Sequence, residues 1–134
     1  MWLYNGKEVT DEDVAEYVGF VYSITNAKTG KSYIGKKLLK FSRTKQVKGK
    51  KKKIKVDSDW KTYYSSSEAL RQDVELLGQE NFQREILRFC SSKSECNYWE
   101  LKYQIERDVL LSDNFYNSWI SARIYKTKAL LGKG

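Results

Sequence analysis

The side chains able to do chemistry are narrowed first by what is missing: the chain has no histidine and two cysteines, Cys90 and Cys96. Two thiols without an imidazole cannot build a four-ligand zinc site, and a triad that needs an imidazole base is excluded. Acid-base work therefore falls to tyrosine, lysine, glutamate, aspartate or water. Both cysteines read most simply as buried thiols. Charge is the other chemical resource. Residues 36–55 hold ten lysines, Arg43 and no acid, while the remaining 114 residues carry 14 basic and 17 acidic groups, so a net charge of +8 is one local block on a mildly acidic body. Such a block either binds a polyanion or is a solvated surface segment. Lys48 to Lys55, with its single Gly49, has too few apolar positions to pack as a core element, and 45–55 reads as a mobile basic loop.

The elements that must position these groups fit one domain spanning 1–134. A chain of this length buries roughly two-thirds of its unfolded surface and needs no disulfide or metal scaffold to fold. No stretch approaches the ~20 apolar residues of a membrane span, and Met1-Trp-Leu-Tyr-Asn-Gly-Lys-Glu8 lacks the pattern of a signal peptide. A cytoplasmic protein with no membrane partner is expected.

Val18 to Asn26 is rich in β-branched and aromatic residues, and Ser32 to Gly35 is a second short run after Ala27-Lys-Thr-Gly-Lys31, which predicts a hairpin. Ser65-Ser-Ser-Glu68 reads as a capping box opening a helix over Ala69 to Leu77, with Leu70, Val74 and Leu77 on one face and Gly78 as the stop. Phe82 to Cys90 reads as a strand covered on both sides that pairs with the hairpin. A second box, Ser92-Lys-Ser-Glu95, starts a helix to about Leu111 with Cys96, Trp99, Tyr103 and Leu110 along one stripe. Leu3 to Val9 contains an Asn-Gly turn and suggests a small extra hairpin within a short extension, 1–16. The core then runs from about 17 to 120.

The paired tripeptides Phe20-Val-Tyr22 and Tyr33-Ile-Gly35, on the two strands of the hairpin, resemble those of the GIY-YIG nuclease family. Tyr22-Ser-Ile-Thr-Asn26 and Gly30-Lys-Ser-Tyr-Ile-Gly35 extend the likeness, as do Tyr64 to Leu70, Gly78, Asn81-Phe82 and Ile86-Leu87. Arg43, eight residues after Gly35, stands where such nucleases place an essential arginine. Glu100 stands at the metal-binding glutamate, and Asn117 in Phe115-Tyr-Asn117 at a third, supporting position. Two departures stand out: Phe20 replaces the first glycine, and Val47 occupies the region where many members carry a histidine. The run 45–55 looks like an insertion.

The resemblance implies an α/β (α+β) domain, a small mainly antiparallel central sheet flanked by helices. It implies a metal-dependent DNA endonuclease with Tyr22, Tyr33, Arg43 and Glu100 as catalytic residues and Gly35, Lys36 and Asn117 in support. Phosphodiester hydrolysis builds charge on the phosphate, so a hard cation and a fixed guanidinium are the useful helpers. Glu100 would hold Mg²⁺ (or Mn²⁺), which keeps much of its water shell and suits a site with one or two carboxylates. The attacking water's proton must go to a tyrosinate, a lysine or hydroxide carried by the cation. Tyr22 is the first candidate by family analogy, with help from Mg²⁺ or Lys36 because a phenol's ordinary pKa is near ~10. Tyr33 would orient water or phosphate. Lys36, Lys37, Lys48, Lys50, Lys51, Lys52, Lys53 and Lys55 are the expected DNA contacts. The bland alternatives are a cross-strand aromatic pair for Tyr22 and Tyr33, one more charge of the basic block for Arg43, a solvated helix residue for Glu100, and a cap or turn brace for Asn117.

A nonenzymatic nucleic-acid-binding module with a decayed site is the alternative function. Among nucleases, homing, restriction-type and branch- or damage-specific repair enzymes all stay open. Without a separate zinc finger or helix-turn-helix, specificity would come from the basic segment, the termini, a homodimer or a separate specificity protein.

Overall fold

The hairpin forms as its composition dictates. β3 (Gly19–Asn26) and β4 (Ser32–Leu38) pair antiparallel, and β7 (Phe82–Cys90) pairs antiparallel with the other edge of β3. β3 is thus central, and almost every residue on it is buried. The computed structural model describes residues 1–121 together with 124, 126, 127, 130 and 131. Among these, no helix is long and apolar enough to cross a membrane.

The N-terminal segment is part of the sheet. β1 (Trp2–Tyr4) and β2 (Lys7–Glu8) are joined by Asn5 and Gly6 at φ 50° and 81°, the left-handed pair that a tight hairpin turn requires. β1 then pairs parallel with β7, giving a five-stranded sheet in the order β2-β1-β7-β3-β4. Trp2 is 2% exposed, and its indole N–H donates to the Trp60 carbonyl at 2.6 Å. The core therefore begins at Trp2 rather than at residue 17, and only α1 (Asp11–Val14) and its flanks stand apart from the sheet before β3.

Helices cover both faces. Phe20, Tyr22 and Ile24 point to one side, where they pack with Trp2, Trp60, Ile86 and with Leu70 and Val74 of α2 (Glu68–Leu77). Val21 and Ile34 point to the other, against Cys90, Val109 and Cys96 of α3 (Lys93–Glu106). Gly19 permits the close approach of α3: a Cβ there would lie 2.9 Å from Cys96 Sγ and 2.7 Å from the Lys37 carbonyl oxygen. Both cysteines are free and buried, as expected.

The helix ends differ from the sequence reading in detail. The cap of α2 is Ser67, whose hydroxyl accepts from Leu70 N, while Ser65 sits at φ 81° and accepts from Ser67 N. Ser92 caps α3 as expected, although the Glu95 carboxylate accepts from Ser91 N rather than closing a box on Ser92. α3 stops at Glu106, short of Leu111, because Asp108 turns into the left-handed region at φ 53°. That turn buries Val109 and leaves Leu110 exposed.

The largest correction concerns the basic run. Residues 45–55 are not a loop: β5 (Lys40–Val47) and β6 (Lys50–Asp57) form a separate two-stranded ribbon, turned by Lys48 and Gly49 at φ 50° and 75°. Scarcity of apolar residues argues against a packed core, but it does not prevent a backbone ladder closed by a tight turn and anchored by a few apolar residues at its base. Phe41, Ile54 and Val56 are partly buried at its base, and every other residue of its two strands is exposed.

Candidate active site

The β3–β4 register sets Tyr22 directly across from Gly35, with Tyr33 on the diagonal. The two phenol rings lie 6.2 Å apart at 31°. Gly35 has a steric duty: a Cβ there would sit 2.6 Å from the Tyr22 hydroxyl and 2.8 Å from the Tyr33 ring. The glycine is the seat of the Tyr22 hydroxyl.

β4 is an edge strand, and the chain's tail closes most of that edge. Tyr116 N donates to the Ser32 carbonyl at 2.7 Å and Ser32 N to the Asn114 carbonyl at 2.9 Å. Asn117 replaces a strand with its side chain: Ile34 N donates to Asn117 Oδ1 at 3.0 Å, and Asn117 Nδ2 donates back to the Ile34 carbonyl at 2.8 Å. Gln104 Nε2 adds a third bond to the same carbonyl at 3.0 Å. Asn117 is thus a brace, placed on the strand two residues before Lys36. At Lys36 the backbone N–H instead faces the Glu100 carboxylate.

Tyr22, Tyr33, Lys36 and Glu100 border one hollow of about 290 Å³. Ser66, Gln104 and the segment Trp119–Ser121 complete its wall. Burial raises the Glu100 pKa above the ordinary carboxylate value, while the charge and backbone N–H of Lys36 pull it down in part. Burial likewise raises Tyr22 well above an ordinary phenol, and Tyr63, Tyr33 and Glu100 push the same way. Tyr33 is raised by burial and by Glu100 and Tyr63, against a lowering hydrogen bond with Ser66. Lys36 Nζ donates to Asn97 Oδ1, which fixes the ammonium at the α3 side.

Other expected site residues lie elsewhere. Lys37 bonds Asp59 at 2.6 Å and lies over the Tyr63 ring at 3.9 Å, so it ties the sheet to the segment that follows the ribbon. Arg43 is exposed on β5, beside the Phe41 ring, and lines a separate hollow with Ala15 to Val18 and Lys93. The fold does not bring it to Glu100. Lys48, Lys50, Lys51, Lys52, Lys53 and Lys55 are all on the ribbon or its turn, and all are exposed.

Five wall residues escaped the sequence reading: Ser66, Gln104, Trp119, Ile120 and Ser121. Gln104 follows Glu100 by one helical turn, a spacing that puts both on one face and could have flagged it. Among the described residues its buried Oε1 has no hydrogen-bond partner. Trp119 is 73% exposed beside the hollow, two residues after Asn117. Ser66 carries no signal apart from its place before α2.

For a divalent cation the donor set is spare. Among the described residues no group of three or more His, Cys, Asp or Glu side chains gathers, and Glu100 is the one carboxylate lining the hollow. One carboxylate whose burial makes it hungry for positive charge fits Mg²⁺, which is held mostly by water and phosphate, and does not fit zinc.

No match was found among curated proteins or among solved structures. A family model described as "Putative endonuclease segE, GIY-YIG domain" matches residues 2–120, which takes in every strand and helix among the described residues and the tail as far as Ile120 in the wall of the hollow. The chain belongs to the GIY-YIG endonuclease family.

Proposed function

We propose that the protein is a Mg²⁺-dependent (or Mn²⁺-dependent) DNA endonuclease that hydrolyses phosphodiester bonds in the hollow between β4 and α3. The observation that carries this reading is the convergence of Tyr22, Tyr33, Lys36 and Glu100 on one partly enclosed space. A cation held at Glu100 would supply charge neutralisation for the scissile phosphate. Lys36 adds fixed positive charge at the same wall, in a setting where it acts more strongly than in bulk water.

The tyrosines divide the remaining work. Burial holds Tyr22 protonated in the free protein, so its hydroxyl is a hydrogen-bond donor there and becomes a base only when positive charge in the hollow lowers its proton affinity. Tyr33, bonded to Ser66, orients the attacking water or a phosphate oxygen. Asn117 and Gln104 act through the strand, since both hold the Ile34 carbonyl. Arg43 contributes a phosphate contact at the base of the ribbon.

The position of Arg43 outside the hollow favours the second reading, a nucleic-acid-binding module whose site has decayed. Plasmid nicking in Mg²⁺ by wild type and Glu100→Gln separates them. Wild-type cleavage lost in a variant that still binds DNA supports the enzyme. Wild type that binds and never cuts supports the module, and equal cutting by folded Glu100→Gln removes Glu100 from the site.

A further inference from the structure

In an antiparallel ribbon, cross-strand partners share a face and successive residues alternate. The β5–β6 register pairs Ser42 with Lys55, Thr44 with Lys53 and Gln46 with Lys51 on one face. The opposite face carries Phe41 with Val56, Arg43 with Ile54, Lys45 with Lys52 and Val47 with Lys50. Every uncharged hydrogen-bonding side chain of β5 therefore lies on a single face, each opposite a lysine. All six of these side chains are exposed.

Lysines alone would serve to track a phosphate backbone. Serine, threonine and glutamine are the neutral groups that meet base edges: glutamine pairs with adenine, serine and threonine bond either partner, the threonine methyl packs on the thymine methyl, and lysine takes guanine. Their spacing suits the task. Alternate residues on a strand stand about 6.8 Å apart, the span of two base steps at about 3.4 Å each. A two-stranded ribbon with strands about 4.8 Å apart, eight residues long, enters a major groove about 12 Å wide. A lone hairpin is marginal in water and gains from a partner. The ribbon's charge names an anionic one. An A-form RNA duplex does not qualify, because its major groove is too deep and narrow for side chains.

We propose that the β5–β6 ribbon enters the major groove of duplex DNA with its Ser42, Thr44 and Gln46 face on the base edges, making the protein a sequence reader. This deepens the DNA endonuclease reading and rests on it for the identity of the polyanion. Ser42 and Lys55 also border the hollow beneath the ribbon, so Thr44, Gln46, Lys51 and Lys53 are the fully projecting readers. The ribbon grows from β4 only four residues beyond Lys36, which ties the sequence it reads to a fixed offset from the phosphate in the candidate active site.

The test is selection from random-sequence DNA duplexes by the wild-type protein in EDTA, repeated with Thr44→Ala/Gln46→Ala and with the opposite-face variant Lys45→Gln/Lys52→Gln. The expected result is a short enriched motif for wild type, about tenfold or more flattened at two positions in Thr44→Ala/Gln46→Ala. Lys45→Gln/Lys52→Gln should keep the motif and bind all DNA more weakly. An unchanged motif in the alanine variant, equal flattening in both variants, or equally tight binding of duplex RNA overturns the proposal. Wild type that binds DNA without enriching any sequence also overturns it and leaves the endonuclease reading standing, whereas failure to bind any DNA overturns both.

Discussion

The hollow and the ribbon are built on opposite plans. The hollow draws Tyr22 from β3, Tyr33 and Lys36 from β4, Glu100 from α3 and Trp119 from the tail, and burial raises the pKa of its two tyrosines and of Glu100. The ribbon is one continuous stretch, Lys40–Asp57, exposed along nearly its whole length. Charges in water are screened over about 10 Å at 0.1 M salt, so any attraction of a polyanion by the ribbon would rest on the number of its lysines and fade with ionic strength. A charge beside a buried wall acts through position and is screened far less. On the proposed function, chemistry would be concentrated where burial shifts a few groups, and affinity where the side chains stay in water.

That division is broken most directly by comparing one cation from each region, Lys36 on the wall of the hollow and Arg43 on the ribbon. Lys36→Met should lower the single-turnover rate at saturating DNA by roughly 10²-fold or more, taking the loss of one transition-state donor as guide. Arg43→Ala should act mainly on affinity. If Arg43→Ala loses as much rate as Lys36→Met, the ribbon base swings to the hollow and the two regions are one machine.

Within the hollow, Tyr22→Phe keeps the ring and empties only the space above Gly35, so a rate loss reports the hydroxyl itself. It should exceed the loss in Tyr33→Phe, by a factor toward the lower end of the roughly 10²–10⁴ that general acid-base catalysis supplies. Because burial keeps Tyr22 protonated, the wild-type rate should go on rising above neutral pH, and Tyr22→Phe should flatten that rise. A fully active Tyr22→Phe enzyme assigns the proton to another acceptor.

Much of this was legible from local chemistry. Runs of β-branched residues gave β3, β4 and β7, serine caps and Gly78 bounded α2, and the resemblance gathered Tyr22, Tyr33, Gly35, Lys36, Glu100 and Asn117, which the fold brings together around Ile34 and the hollow. The failures share a cause, which is geometry set by distant partners. A bulge at Val21/Tyr22 leaves Leu87 unpaired, so Arg84 and Arg88 reach opposite faces although their spacing implies one. Arg84 is buried between the Trp2 and Tyr64 rings and donates to the Lys61 and Tyr63 carbonyls, while Arg88 stacks on Trp99 of α3. Trp2 enters the core only through a parallel pairing with β7, and Arg43 is carried off by a ribbon whose existence its lysines disguised.

The ribbon's own test is salt. Lys48, Lys50, Lys52 and Lys55 changed together to Gln should flatten the slope of log affinity against log salt by about 0.9 for each duplex-DNA phosphate that a lysine no longer neutralises. The melting temperature should hardly move, since none of the four is buried. Parallel slopes for wild type and variant would mean that these lysines meet no phosphate, leaving the ribbon as a solvated projection.

The smallest effect is the most specific to the hollow. Glu100 has a raised pKa because burial disfavours its charge more than Lys36 restores it. A carboxyl raised in the folded state binds its proton more tightly there than in the unfolded chain, whose value is near ~4.3. The stability it permits is therefore complete below the unfolded value and declines as pH climbs toward the folded one. Glu100→Gln carries no such charge. At pH 8, without added metal, it should melt above wild type, and the gap should close as pH falls from the raised folded value to the unfolded one. Adding Mg²⁺ should raise the wild-type melting temperature toward that of the variant and leave the variant unmoved, because only the carboxylate gains from the cation. Thermal melts across pH, with and without Mg²⁺, read both effects. A variant less stable than wild type at every pH would show that Glu100 is held by interactions worth more than its burial costs, making it a structural group on the wall of the hollow rather than a strained one awaiting a cation.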